Sequence, residues 1–256
     1  TKFREIDFTL NGRARRERIT PGLTLLRLLR ACGCASVKFS DERGEGGADT
    51  VLLDGRPHSA AVLPAWRAQD ASIETLEGLR EDPWLRNLSE ILMAEGAVQC
   101  GYCTPAFLLQ LEALRRRAPE PEEEEIRAAL APVFCRCTGM VKPLRAAKVA
   151  FGLEPAREPV KGVDEHRVVG RDARRVDARG LLRGEPVFAA DTPAPGALTL
   201  RILPSPHAHA RIRSIDSAAA LALPGVVDVV TWRDLPRRAY TSAGQGFPEP
   251  SPYDCY

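Results

Sequence analysis

The stretch GAVQCGYCTPAFLLQLEAL, residues 96–114, decides the reading of this chain, with EEIRAAL at 124–130 and CRCTG at 135–139 beside it. Cys100 and Cys103 make one close thiol pair. Cys135 and Cys137 make another, which begins 32 positions after Cys103. Leu108, Leu109, Leu111 and Leu114 recur at helical spacing and read as core. Thr104 suits an N-cap and Pro105 the first helical position, which puts the first pair at a helix N-terminus. There the free N–H groups and the dipole favour thiolate over thiol. Glu122 to Glu125 crowd the start of the next helix, where negative charge is favoured, and Gly139 allows a turn after the second pair. Four thiolates in one place suit either a structural zinc ion or a [2Fe–2S] cluster, in which two sulfurs complete each iron. Spacing alone leaves both open. It does exclude the two-cluster bacterial ferredoxin run, and it departs from the plant-type pattern of three close cysteines.

Outward from this stretch the chain divides by pattern. Residues 1–78 read as strands around one helix, a β-grasp unit. IDFTL alternates, Asn11-Gly12 and Asp54-Gly55 are hairpin turns, and LTLLRLLRACG is a helix that stops at Gly33. Residues 79–153 read as four short-linked helices. Residues 154–170 are charged and aperiodic, as in a linker. Residues 171–256 turn β-rich again, with two strand-like runs in GALTLRILPSPHAHARIRSID, a short helix in SAAALALPG and a buried strand in VVDVVT. The fold class is therefore α+β and multidomain.

The composition excludes several classes. The formal net charge is +2 in 256 residues, which gives no reason to expect nucleic acid or an anionic membrane as partner. No apolar run is long enough to span a bilayer. Seven cysteines, an odd number, do not suit a closed disulfide framework, and clustered thiols fit metal or redox work in a reducing cytoplasm. Cys32 and Cys34 form a third pair, and Cys255 stands near the end.

The quoted stretches, from Gln99 through both cysteine pairs, resemble the second iron–sulfur domain of the xanthine dehydrogenase family of molybdenum hydroxylases. The resemblance favours iron–sulfur over zinc. Residues 36–61, SVKFSDERGEGGADTVLLDGRPHSAA, resemble the same family's plant-type ferredoxin frame SVKxGCxxGxCGACTVLLDGxxxxSC. Asp41, Gly46, Asp49 and Ala61 stand where that frame places cysteines, so it implies a retained β-grasp fold without its cluster. Gly and Ala cannot ligate iron, and carboxylates suit a soft iron–sulfide unit poorly. Replacement thiolates from Cys32 and Cys34, or a hard cation on Asp41, Glu42, Glu45 and Asp49, are the alternatives weighed against ordinary thiols and a solvated loop. Residues 171–256, with SPHAHARI and ALPGVV, resemble the opening of the molybdenum-binding subunit, an α/β hammerhead domain that is incomplete here. The family's catalytic segments lie farther on, so no catalytic residue is expected in this chain.

The resemblance implies that Cys100, Cys103, Cys135 and Cys137 hold one [2Fe–2S] cluster and that Gln99 contacts the pterin of a molybdenum cofactor held mainly by a partner chain. It implies a large molybdenum-binding catalytic partner, a hetero-oligomer, room for FAD on another subunit, and a cytoplasmic enzyme that passes electrons from molybdenum. The rival reading is a non-catalytic scaffold stabilised by zinc or a cluster. Arg136, between two ligands, reads equally as a tuning charge or an exposed side chain. His207 and His209 would share a strand face, read as structural or interfacial rather than ligating.

Overall fold

The computed structural model describes residues 3–158, 169–170, 172–173, 175–192 and 194–236. Most of the expected linker, 159–168, and the end of the chain with Cys255 lie outside the described residues. The chain forms two compact units, 1–195 and 196–256.

The first unit begins with β1 (Arg4–Leu10) and β2 (Arg13–Ile19), antiparallel in the register Leu10 with Arg13. Asn11 and Gly12 both take positive φ, 52° and 76°, which a two-residue hairpin turn requires. Ile6, Phe8 and Leu10 alternate inward and are nearly inaccessible, as period-2 patterning dictates. α1 (Leu25–Ala31) is capped by the Thr24 hydroxyl, which accepts the Arg27 N–H at 3.3 Å. The helix therefore starts at Leu25, two residues into the run LTLLRLLRACG. β3 (Thr50–Leu53) and β4 (Arg56–Ser59) form a second hairpin through Asp54 and Gly55, again both at positive φ. β5 (Ser72–Glu74) enters between the hairpins, parallel to β1 and antiparallel to β3, giving the order β2-β1-β5-β3-β4. One mixed sheet with α1 packed into the same apolar core is the β-grasp arrangement.

The helical core follows. After α2 (Leu76–Leu79), Asp82 caps α3 (Pro83–Ala94) by accepting the N–H groups of Trp84 and Leu85. α4 (Thr104–Arg117), α5 (Glu123–Leu130) and α6 (Val141–Ala150) complete it. α4 is the central rod. It packs on α3 and α5 and also on β3 and β4, so it is buried almost all round. Phe107, Leu108, Leu109, Leu111 and Leu114 are each at most 1% exposed, and burial of each stabilises by about 1.5–3 kcal/mol. Glu112, also buried, is satisfied by Arg115 and Arg116 within its own helix.

Two findings bear on the third region. First, the compact units divide after Pro195. α7 (Ala178–Leu182) belongs to the helical core, where Ala178, Leu181 and Leu182 are buried. Second, the runs 198–203 and 226–230 are not strands. Leu200, Ile202 and Leu203 are 81%, 82% and 95% exposed, and Val227 and Val230 are also exposed. Their patterning suits a sheet, but among the described residues no neighbouring strand pairs with them, and an isolated strand leaves its ladder groups unmade. Only the short helix is found, as α8 (Ala218–Leu221). His207 and His209 are exposed and share no strand face.

Candidate metal centre

Cys100 and Cys103 lie on the loop between α3 and α4, and Cys135 and Cys137 on the loop between α5 and α6. The loops meet because α4 and α5 pack antiparallel over a short link closed by a capping box, with Glu122 as N-cap and Glu125 returning to its N–H at 3.1 Å. The thiols meet in two crossed pairs. Cys100 is within hydrogen-bonding reach of Cys137, and Cys103 of Cys135. Each pair takes one sulfur from each loop. Among the described residues no three His, Cys, Asp or Glu side chains gather closely enough for a single ion. Four thiols brought from two loops match the ligand number of a binuclear cluster.

The ends of the site differ. Cys103 and Cys135 are buried, whereas Cys100 and Cys137 are exposed, as are Gln99 and Arg136. Cys103 proves to be the N-cap of α4, one residue earlier than expected, so Thr104 and Pro105 fill the first two helical positions. Its sulfur makes no capping hydrogen bond. Burial, and then the neighbouring Cys135, push the Cys103 thiol well above its ordinary range. Burial also acts against ionising Cys135, but hydrogen bonds from the Thr138 hydroxyl, the Thr138 N–H and the Cys103 thiol outweigh it and lower its pKa. The Thr138 Oγ1 to Cys135 Sγ distance is 3.0 Å. Gln99 makes no side-chain hydrogen bond among the described residues.

The loop of the first, degenerate site lies directly against this centre. The Phe134 N–H, one residue before Cys135, donates to the Gly46 carbonyl at 2.9 Å. The Tyr102 hydroxyl, between the first two thiols, donates to the Phe39 carbonyl. Gly47 sits at φ +68°, and a Cβ there would stand 2.0 Å from the Pro132 carbonyl oxygen.

The four positions of the missing ligands are closed in pairs. Asp41 accepts the N–H groups of Arg43, Glu45 and Gly46, which hold its carboxyl below the usual carboxylate range, Arg43 most strongly. Asp49, 1% exposed, accepts the Ala61 N–H at 2.6 Å and the Ser59 hydroxyl at 2.5 Å. A Cβ on Gly46 would fall 1.8 Å from the Ser40 hydroxyl, so that space is filled. Sequence reasoning placed these aspartates but missed this use of them. The ability of Asp to accept nearby backbone N–H groups was the available signal. Cys32 and Cys34 lie elsewhere, at the end of α1. Cys32 faces Glu17, and burial first, then Glu77, push the Cys34 thiol up to about 12.

Residues 75–148 match the family described as [2Fe-2S] binding domain, and residues 183–252 match the aldehyde oxidase and xanthine dehydrogenase a/b hammerhead domain. The chain is 33% identical over 255 residues to a probable hypoxanthine oxidase of Escherichia coli (strain K12), covering 97% of this chain and 27% of that protein. It thus spans about a quarter of that relative's length. It is 42% identical over 146 residues to the nicotinate dehydrogenase small FeS subunit of Eubacterium barkeri, covering 57% of this chain and 93% of the subunit. The aldehyde oxidoreductase from Desulfovibrio gigas is similar in structure, with TM-score 0.62 and 28% identity over 73% of this chain and 22% of that one.

Proposed function

The chain belongs to the xanthine dehydrogenase family of molybdenum hydroxylases, and from that premise we propose that it carries electrons away from a molybdenum site through one [2Fe–2S] cluster. The single observation that carries the reading is the convergence of two loops that brings Cys100 and Cys103 together with Cys135 and Cys137. The cluster, when bound, supplies one-electron storage between a two-electron hydroxylation and an acceptor.

The chain's own residues do the rest. Cys103 and Cys135 anchor the buried end, and Thr138 donates to the Cys135 sulfur. Cys100 and Cys137 present the exposed end, where an electron enters over the shortest path from a partner. Gln99 stands beside that end with its amide uncommitted, ready to hydrogen-bond a pterin. Arg136 places a positive charge between two ligands, and positive charge near a cluster favours the reduced form. The molybdenum cofactor belongs to a large catalytic chain or portion, and any FAD to a further subunit. We place the complex in the cytoplasm; among the described residues no helix is long and apolar enough to cross a membrane.

Asp41 and Asp49 support a one-cluster chain, since Asp41 accepts three loop N–H groups and Asp49 Oδ2 accepts the Ala61 N–H and the Ser59 hydroxyl. The test is iron, acid-labile sulfide and EPR on the purified complex. Two iron and two sulfide per chain with one [2Fe–2S] signal from this chain are expected. One zinc with no sulfide would establish the scaffold reading instead, and two distinct signals from this chain would refute the one-cluster claim.

A further inference from the structure

Residues 178–191 lie on both cores of the first unit, far in sequence from what they touch. Leu181 covers the CGYC loop so closely that a Cβ on Gly101 would come within 2.7 Å of its Cδ1. Gly184 meets Ser36, where a Cβ would be 2.5 Å from the Ser36 Cβ. Phe188 packs edge-on against Tyr102 at 5.0 Å between centroids and lies beneath the Lys38 Nζ at 4.7 Å. Asp191 then accepts Lys38 Nζ at 2.7 Å and Arg30 at 2.8 Å. The Lys38 and Asp191 side chains are each only 2% exposed.

We propose that residues 178–191 are a strap that fastens the chain leading into the catalytic portion to the iron–sulfur portion, with Asp191 as its lock. The hammerhead match begins at residue 183, so residues assigned to the third part by sequence are held by Ser36, Lys38 and Arg30 of the first. Without the strap, Lys38 and Arg30 lose the one carboxylate that both of them reach. A buried ion pair is a weak source of net stability, because both charges lose water. Its use here is register: sliding the strap by one residue would bury Lys38 beside Ala190 or Thr192, neither of which carries a charge. Gly184 and Gly101 fix the same register, since neither close approach tolerates a side chain. In an enzyme built from separate chains, the same seat would take a partner segment with two apolar residues, a glycine, an aromatic ring and an aspartate, spaced as Leu181, Leu182, Gly184, Phe188 and Asp191.

The proposal rests on reading the residues after Gly196 as the start of the catalytic portion. To test it, a sequence-specific protease site replaces residues 160–167 of the full chain, and the cleaved protein is run on gel filtration. The two pieces are expected to co-elute. Phe188→Ala with Asp191→Ala is expected to separate them while the visible absorbance stays with the N-terminal piece. Asp191→Asn, which keeps the shape and removes the charge, is expected to weaken association at least tenfold. Cleaved wild-type pieces that part, or an Asp191→Asn protein that binds as tightly as wild type, overturn the proposal. Iron and sulfide analysis of the same samples reports on the one-cluster reading separately.

Discussion

The Asp49 carboxylate holds the Ala61 N–H at 2.6 Å, joining two positions that the family frame assigns to cluster ligands. Asp41 holds the Gly46 N–H at 2.5 Å and joins the other two. Where the frame has metal bonds, this loop has hydrogen bonds to aspartate side chains. Asp49→Ala strips the buried Ala61 N–H and Ser59 hydroxyl of their acceptor. An unsatisfied buried group costs about 1–3 kcal/mol, so thermal denaturation should show a loss of that size with iron content unchanged. A parallel loss of iron would mean that the loop binds metal.

Gly47→Ala should be far more damaging than Gly55→Ala. Both residues have positive φ, +68° and +75°, and each substitution pays about 1 kcal/mol for that. Only at Gly47 does the new Cβ strike backbone, the Pro132 carbonyl oxygen at 2.0 Å. The loop must then withdraw from the segment leading to Cys135. Faster iron release to a chelator is expected for Gly47→Ala and not for Gly55→Ala.

Thr138→Val removes a hydroxyl donor from the Cys135 sulfur. Hydrogen bonds to cluster sulfurs stabilise the more negative, reduced state. A net hydrogen bond of about 1 kcal/mol corresponds to a shift on the order of 40 mV for one electron. Redox titration should find the potential lowered by that order, with two iron retained. An unchanged potential would show that the hydroxyl turns away when the cluster is bound.

The Asp191 lock gives the fold an acid-sensitive contact. Burial raises its pKa, but hydrogen bonds from Lys38 and Arg30 outweigh burial, and its pKa in the folded chain is below the ordinary 3.8. A depressed carboxylate contributes stability that is present above its unfolded value and lost as pH falls through its folded one. Denaturant midpoints measured downward from pH 5 should therefore fall more steeply for wild type than for Asp191→Asn. At neutral pH, Asp191→Ala leaves Lys38 buried without a counter-charge, at a cost of about 3–5 kcal/mol.

Cys34, pushed up to about 12, is a poor nucleophile at pH 8 and should escape alkylation in the folded protein. Cys32→Ala with Cys34→Ala should leave iron and sulfide intact, while Cys135→Ala should abolish both. Iron lost from the first variant would contradict the assignment of the four ligands.

Local features were legible in the sequence and long-range ones were not. The hairpins at Asn11-Gly12 and Asp54-Gly55 could be read because the turn chemistry is contained in two residues. The leucines of α4 could be read because helical spacing records one buried face, although full burial came from contact with β3 as well. The start of α4 slipped by one residue because Pro is tolerated in the first turn and Cys103 took the cap. The runs around Leu200 and Val227 show the opposite failure: alternation describes a strand only when a neighbour supplies its ladder. The strap had no local signature at all, since Lys38 and Asp191 are 153 positions apart and a lysine gives no sign in sequence that it will be buried.

The staples made by Asp41 and Asp49 also bear on how the protein is put together in the cell. A ferredoxin loop that waits for iron is unfinished when it leaves the ribosome. This one is closed by its own hydrogen bonds, Asp41 to Gly46 and Asp49 to Ala61, and the segment before Cys135 rests on it through the Gly46 carbonyl. On the one-cluster reading, maturation asks the delivery machinery for a single cargo, handed to a site whose floor is in place before the metal arrives.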